Sequence, residues 1–228
     1  MSLKLYLDYV SQPCRAVLSL CNFGKLNIIV IEKRLMKMEN YSNEMLEINP
    51  LKTFPTIVDC DNNNQRITES HTIMRYLCQT RKSLIKENFY PSNPLISCKI
   101  DEYLDWHHSN TRRCSMLLGS ILPNKFFHMK NHNRNDEFKK VKQVLHTFEN
   151  YFLKDGNFIG NLGNISIADL SAACEFSQLD FIDFSFKEFP KVDDWLRRIH
   201  QYNEVKEAHE VYYKILKKFR EKNEQKPF

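Results

Sequence analysis

The chain has 228 residues, of which 42% are hydrophobic and 27% charged, enough apolar material for one large or two small folded domains. Its formal charge of +5 arises from 33 basic and 28 acidic residues, and because the two signs are interspersed we expect no nucleic-acid-binding surface. No apolar run reaches the ~18 residues of a membrane span. Residues 1–9 lack the pattern of a secretion signal, so we expect a cytoplasmic protein with no membrane partner.

The cysteines agree with a reducing compartment. They are odd in number, well separated and without paired C-x-x-C spacing: Cys14, Cys21, Cys60, Cys78, Cys98, Cys114 and Cys174. We interpret them as reduced thiols and expect no metal site.

Strand and helix patterns alternate through residues 1–82. The predicted strands cover 3–7, 27–35, 56–61 and 65–68, the last two as a hairpin. A helix is predicted at 13–24, opened by Pro13 and ended by Gly24 as a left-handed cap, and another at 70–80. This order predicts an α/β domain.

The pattern changes after residue 82. The charged, proline-marked segment 83–93 predicts a linker, and only helical periodicity follows over 94–228. One helix is predicted at 135–153 under an Asn135 cap, with an inward apolar face made by Phe138, Val141, Leu145, Phe148 and Phe152. The second domain is therefore expected to be all-α.

Two residues at the start of the segment 165–174 allow two interpretations. Ser166 and Asp169 have the spacing of a capping box, with Ile165 as an apolar staple. They could also form a catalytic pair, although we favour the folding signal. Further helices are predicted at 190–202 and 203–219.

Ser11 follows the first strand and precedes the first helix. A helix start offers unpaired N–H groups and a positive dipole end, so an anion such as a thiolate would be stabilised there, with Ser11 donating its O–H. The alternative is a serine that only caps the helix. Cys14 occupies the second position of a C-x-x-C-like motif whose first position is Ser11, which excludes exchange by a vicinal pair. We interpret Cys14 as a packed core thiol, with a redox role as the alternative.

Two further segments suggest a peptide-binding site. Phe54-Pro55 precedes a predicted strand, and a cis bond there would expose the Phe54 backbone to an extended ligand, whereas a trans turn would not. Glu69 and Ser70 open a predicted helix and would suit a carboxylate and an ammonium group, or would simply cap that helix. Together with Ser11 these groups fit a zwitterionic γ-glutamyl peptide carrying a thiol.

Five segments give the chain a family resemblance. "YLDYVSQPCRAV", "EINPLKTFP", "TESHTIMRYL", "DEYLDWHHSNTRR" and "ISIADL" occur in the order and spacing of theta-class glutathione transferases, which essentially the whole chain resembles. The resemblance implies a thioredoxin-like domain with a cis Pro55, then an all-helical domain. It also implies glutathione as co-substrate and a homodimer.

The same resemblance implies roles for individual residues. Ser11 hydrogen-bonds the glutathione sulfur, and Arg112 lies near the thiol, unless it is only a solvated helix charge. The glutathione-binding residues implied are Gln12, Asn40, Lys52, Thr53, Phe54, Pro55, Glu69 and Ser70. An apolar pocket for the electrophile is expected beside Val10, Met36 and Ser115.

Three positions depart from the family pattern. Asn40 and Thr53 stand where a histidine and a lysine commonly meet the glycyl carboxylate, and Ser109 replaces an acidic residue reached from the partner subunit. Lys52 or Lys37 is a candidate replacement, because a lysine can swing to a nearby carboxylate.

The expected activity is transfer of glutathione to alkyl halides or epoxides, with organic hydroperoxides as further substrates. A carrier protein that binds ligands on the same scaffold without turnover is the alternative. Glutaredoxin-like exchange through Cys14 is a third possibility.

Overall fold

The computed structural model describes residues 2–121 and 133–223. Its first part contains β1 (Leu3–Leu7), α1 (Gln12–Phe23), β2 (Ile28–Glu32), α2 (Asn43–Ile48), β3 (Thr56–Asp59), β4 (Gln65–Thr68) and α3 (Ser70–Thr80). The strands form a sheet in the order β2-β1-β3-β4, in which β1 and β2 are parallel and the other neighbours antiparallel. The predicted alternating strand and the hairpin are both confirmed.

The second part is helical. Its helices are α4 (Pro94–Ser109), α5 (Arg113–Ile121), α6 (Arg134–Thr147), α7 (Ile167–Phe176), α8 (Pro190–Ile199) and α9 (Asn203–Asn223). A single 3-10 turn, Glu87–Phe89, lies in the predicted linker. The predicted order of an α/β part followed by an all-α part is confirmed. Within residues 2–121 and 133–223, none of the helices is both long and apolar enough to cross a bilayer.

The end of α1 differs from the prediction. Gly24 has a right-handed backbone, with φ −80°, and the left-handed residue is Lys25, with φ 46°. A Cβ on Gly24 would lie only 2.8 Å from the Cγ1 atom of Ile85. Glycine is therefore needed here for close packing against the linker rather than for its conformational freedom.

The helix predicted at 135–153 begins and ends differently. Its N-cap is Asn133 rather than Asn135, since the Asn133 side chain accepts hydrogen bonds from the N–H groups of Asn135 and Asp136. The last part, Phe148–Phe152, is a wider π-helical turn. Phe138, at the start of the expected inward face, is 38% exposed. The other four residues of that face are buried.

The capping box predicted at α7 is confirmed. Asp169 accepts hydrogen bonds from the Ser166 N–H at 2.8 Å and the Ser166 hydroxyl at 2.9 Å. Its other oxygen accepts from the Ile159 N–H at 2.9 Å and the Trp195 indole at 2.8 Å. Because Asp169 is fully buried, these four donors are the substitute for water that a buried carboxylate needs. The pair is structural rather than catalytic.

Candidate functional site

The loop between β1 and α1 carries Ser11 at the N-cap position of α1, with φ −71° and ψ 121°. Its side chain makes no capping hydrogen bond, so the hydroxyl is not occupied in the way that the simple capping interpretation requires. The loop is held by Asp8, whose carboxylate accepts from the N–H groups of Val10 and Leu35, both at 2.9 Å.

The Cys14 thiol lies one turn into α1 and is completely buried. Burial raises the pKa of Cys14 to about 12, and a hydrogen bond with the Ser11 side chain opposes that rise only in part. The thiol is therefore protonated at neutral pH and is not a nucleophile. This favours the packed-thiol interpretation of Cys14.

The Phe54–Pro55 peptide bond is cis. The turn before it is held by the buried Asn49, whose Nδ2 donates to the Thr53 carbonyl at 2.8 Å and to the Thr56 hydroxyl at 3.0 Å. These contacts fix the backbone of residues 53–56 beside the start of β3.

At the N-terminus of α3, Glu69 has φ 65° and makes no side-chain cap. A positive φ is unusual for a residue other than glycine and commonly marks a position fixed for function. Here it opens the helix so that Ser70 begins the first turn.

These segments meet at one cavity of about 180 Å³ between the two halves of the chain. The cavity is lined by Gln12, Pro13, Thr53, Phe54, Pro55, Glu69, Ser70, His71, His107, His108, Arg112 and Ser171. Seven of the predicted site residues are therefore brought together, and they come from three separate segments of the first part and one of the second.

One wall of the cavity was not predicted from the sequence. His71, His107 and His108 have neighbouring rings, with centroids 4.7 to 5.9 Å apart. His71 shares a hydrogen bond with the Ser171 hydroxyl at 2.8 Å. Burial lowers the pKa of His71 to about 2 and that of His107 to about 3. His71 and His107 are therefore neutral at pH 7, and in the described part of the chain no metal-ligating cluster of such side chains was found.

The remaining predicted residues, Ser11 and Val10 among them, do not line this cavity. Asn40 is 7% exposed and donates to the Lys52 carbonyl at 2.9 Å, while its own Oδ1 is buried without a partner among the described residues. Lys52 has a positive φ of 58° and an ammonium group 5.3 Å from the Tyr41 ring centre. Met36 is 60% exposed.

Ser115, expected near an apolar pocket, belongs to a polar network. Its hydroxyl accepts from the Gln12 carboxamide at 2.9 Å and donates to Glu175. Glu175 also lies 3.3 Å from the Arg112 guanidinium. Because these contacts join α1, α5 and α7, no local sequence pattern could have revealed them.

Comparison with known proteins decides the family. The sequence model for the glutathione S-transferase N-terminal domain matches residues 5–83, and that for the C-terminal domain matches residues 120–203. Glutathione S-transferase T1 of Arabidopsis thaliana is 32% identical over 235 residues, covering 98% of this chain and 94% of that protein. This chain belongs to the theta class of glutathione S-transferases. Human glutathione S-transferase theta-1 is also 32% identical, covering 94% of this chain and 90% of that protein.

Solved theta-class glutathione S-transferases share the fold. A human theta-class enzyme in complex with the glutathione conjugate of 1-menaphthyl sulfate has a TM-score of 0.85 and 28% identity, covering 97% of this chain and 91% of that one. Human glutathione transferase theta-2, in complex with glutathione and an unknown ligand, has a TM-score of 0.85 and 27% identity, covering 96% and 91%. The thioredoxin-like fold of the first part, which the resemblance implied, is thereby confirmed.

Proposed function

We propose that this transferase joins the sulfur of glutathione to small hydrophobic electrophiles such as alkyl halides and epoxides, and also reduces organic hydroperoxides. The observation that carries the proposal is the Ser11 hydroxyl, which stands at the start of α1 without a capping hydrogen bond. A hydroxyl has one donor and two acceptor positions. Since the Cys14 thiol stays protonated, it is only a weak acceptor, so the Ser11 O–H remains available to the ionised sulfur of a ligand.

The cavity suggests how the peptide lies. The γ-glutamyl end would meet the N-terminus of α3 at Glu69 and Ser70, where helix N–H groups favour a carboxylate. The cysteinyl backbone would pair with the main chain of Phe54, as an extended ligand pairs with a strand edge. Gln12 and Arg112 line the same cavity, so the thiol end would lie next to the loop that carries Ser11.

The proposed chemistry is stabilisation of a thiolate. Serine is too weak an acid to act as a base at neutral pH, so its role is to donate to the sulfur after the proton has left. Lowering a thiol pKa from about 8.5 by two units raises the ionised fraction at pH 7 from about 3% to about 75%, for roughly 2.7 kcal/mol. One hydrogen bond to a charged acceptor, worth about 1.5–3 kcal/mol, is of the required size. The helix dipole and Arg112 would add to it.

The thiolate then attacks the electrophile. With an alkyl halide, a carbon–sulfur bond forms as the carbon–halogen bond breaks, and the halide leaves with the electron pair. With an epoxide, the ring oxygen leaves as an alkoxide and takes a proton from water. With a hydroperoxide, the sulfur attacks the terminal oxygen, an alkoxide leaves, and the resulting sulfenic acid reacts with a second glutathione to give the disulfide and water.

Val10, Met36 and Ser115 are the proposed lining of the electrophile pocket. Asp8 accepts hydrogen bonds from both Val10 and Leu35, which brings the segment containing Met36 beside the Ser11 loop. Met36 is exposed and so offers apolar surface to a ligand. We also propose that the enzyme works as a homodimer in the cytoplasm.

A carrier function is the second candidate, and Asn40 favours it. Its amide carries no charge and is turned inward to the Lys52 carbonyl. Lys52 or Lys37 would therefore have to supply the cation for the glycyl carboxylate. Affinity for glutathione is therefore the quantity to measure first.

Calorimetric titration with glutathione, followed by turnover assays with a small alkyl halide and with cumene hydroperoxide, separates the candidates. Saturable binding with turnover supports the transferase. Binding without turnover favours the carrier, and absence of binding contradicts the transferase.

A further inference from the structure

Glu175 on α7 is a completely buried carboxylate with two distinct sides. Its Oε1 accepts hydrogen bonds from the N–H group of Ser115 at 3.1 Å and from the Ser115 hydroxyl. Its Oε2 lies 3.3 Å from Nη1 of Arg112 and 3.8 Å from Nε2 of His107. The carboxylate therefore contacts α4, α5 and the turn between them.

The network continues to the first helix. The Ser115 hydroxyl accepts from Nε2 of Gln12 at 2.9 Å, and the Gln12 oxygen in turn accepts from Gln178 at 3.3 Å. Gln12 follows Ser11 directly in the chain. Glu175 is thus joined on one side to Arg112. On the other side it is joined through Ser115 to Gln12, the neighbour of Ser11, which is proposed to donate to the glutathione sulfur.

The charges around Glu175 are unevenly exposed. Arg112 has a side chain that is 43% exposed, and it faces the cavity. His107 is buried and its pKa is lowered to about 3, chiefly by burial and then by Arg112. Tyr103 and Cys114 also feel the Glu175 charge, and burial raises their pKa values well above normal. Among these neighbours, Arg112 is therefore the cation that compensates the buried carboxylate.

Burying an ion pair of this kind seldom adds stability, because the desolvation of the carboxylate offsets the attraction. A well-packed apolar side chain could join α5 to α7 as well. What an apolar side chain could not do is fix the direction of a guanidinium and of a carboxamide that both line the cavity. The arrangement is therefore better explained by the site than by folding.

We propose that Glu175 is a positioning residue, which holds the Arg112 guanidinium and, through Ser115, the Gln12 carboxamide in place at the thiol end of the glutathione site. The inference rests on the proposed function. In it, Arg112 stabilises the thiolate beside Ser11 only while Glu175 keeps the guanidinium turned into the cavity.

The substitution Glu175→Gln tests this, because an amide has a single acceptor oxygen. The Ser115 N–H group needs that oxygen, so the NH₂ group is left facing Arg112 and releases the guanidinium to solvent. We expect the acid ionisation constant of glutathione bound to Glu175→Gln to fall at least threefold. It is measured from the ultraviolet absorbance of the thiolate as the pH is varied.

The Arg112→Leu background separates positioning from a direct charge effect. If Glu175 acts through Arg112, Glu175→Gln changes the ionisation constant less than twofold once Arg112 is gone. An increase in the ionisation constant, no change at all, or an equal change in both backgrounds would overturn the inference.

Ser115→Ala is a second variant, which keeps the Arg112–Glu175 ion pair. It therefore tests the network without removing the buried charge of Glu175, whose loss could unfold the protein. We expect KM for glutathione to rise threefold or more, since Nε2 of Gln12 loses its acceptor although Gln178 still donates to the Gln12 oxygen, with the bound thiol ionising as in the wild type. An unchanged KM would overturn the Gln12 part of the inference.

The wild type and Ser11→Ala, titrated in the same way, separate this inference from the proposed function. If wild-type-bound glutathione shows no thiolate at neutral pH, the proposed function fails. If the thiolate forms and depends on Ser11 but not on Glu175, only the positioning role fails.

Discussion

The guanidinium of Arg15 on α1 lies 3.9 Å from the centre of the Tyr212 ring on α9. Both residues are completely buried. The guanidinium donates to the carbonyl oxygens of Val10 at 2.6 Å and of Cys174 at 3.0 Å. A single side chain therefore ties the loop that carries Ser11 to the helical part of the protein.

Arg15→Met should lower the free energy of unfolding by about 2–4 kcal/mol, because the carbonyl groups of Val10 and Cys174 each lose a charged donor, although Val10 still accepts from Gln178. Chemical denaturation measures the loss. The matched control is Arg197→Met, since the Arg197 side chain is 65% exposed and, within residues 2–121 and 133–223, pairs with Asp193 and Asp194 of its own helix, so a change under about 0.5 kcal/mol is expected. Equal losses in the two variants would contradict the role of Arg15.

Asp59 and Arg81 form a buried ion pair with an N–O distance of 2.7 Å. The Tyr76 hydroxyl also donates to Asp59 at 2.7 Å. Asp59→Asn should destabilise the fold by about 3–5 kcal/mol, because Arg81 is left buried without its main partner. Asp61→Asn is the control, since the Asp61 carboxylate lies 3.9 Å from Arg81 and its side chain is 38% exposed. A loss as small as that of the control would show that the pair contributes little.

The burial of Asp169 makes stability depend on pH. Burial raises the pKa of Asp169 to about 6 from an ordinary value of 3.8, so the folded protein holds this proton more tightly than the unfolded chain. The folding stability that comes from this tighter proton binding is fully present below pH 3.8. It is lost as the pH rises through 6, by about 3 kcal/mol in all.

Asp169→Asn has no proton to lose at this position. Between pH 4 and pH 6.5 the unfolding free energy of the wild type should therefore fall relative to that of the variant. Denaturation at several pH values measures it. A difference that is flat, or that moves in favour of the wild type, would contradict the raised pKa.

Local sequence patterns predicted the elements whose partners lie close along the chain. Ser166 and Asp169 are three residues apart, so the capping box needs no tertiary contact to be recognised. The position of the α1 cap, Gly24, was predicted correctly, but its left-handed conformation was wrong, because the glycine is set by packing against Ile85. Such a contact leaves no trace in the neighbouring residues.

The site was predictable to a similar degree. Ser11, Phe54 and Glu69 could be proposed from the sequence because each begins or precedes a regular element, and the structure places Phe54 and Glu69 in the lining of the cavity. The histidine wall and the buried Glu175 were missed because their partners lie on other helices. His71, for example, bonds to Ser171, one hundred residues further along the chain.

Ser11→Ala should lower the rate of thiol transfer tenfold or more, because a hydrogen bond to a charged sulfur is lost. Stability should change by less than about 0.5 kcal/mol, since no capping bond is lost. Ser42→Ala is the matched control: the Ser42 hydroxyl caps α2 by accepting from the Met45 N–H group at 3.3 Å, so it should cost about 1 kcal/mol and leave the rate unchanged. If Ser11→Ala instead lowered stability by about 1 kcal/mol and left the rate unchanged, Ser11 would be a structural cap.

In the proposed mechanism the Ser11 hydroxyl keeps the sulfur of bound glutathione ionised at neutral pH. Ultraviolet difference spectra of glutathione bound to the wild type and to Ser11→Ala measure this ionisation. We predict a thiolate band at pH 7 in the wild type that Ser11→Ala shifts to higher pH. Bound glutathione that titrates as it does in free solution, in both proteins, would contradict the claim.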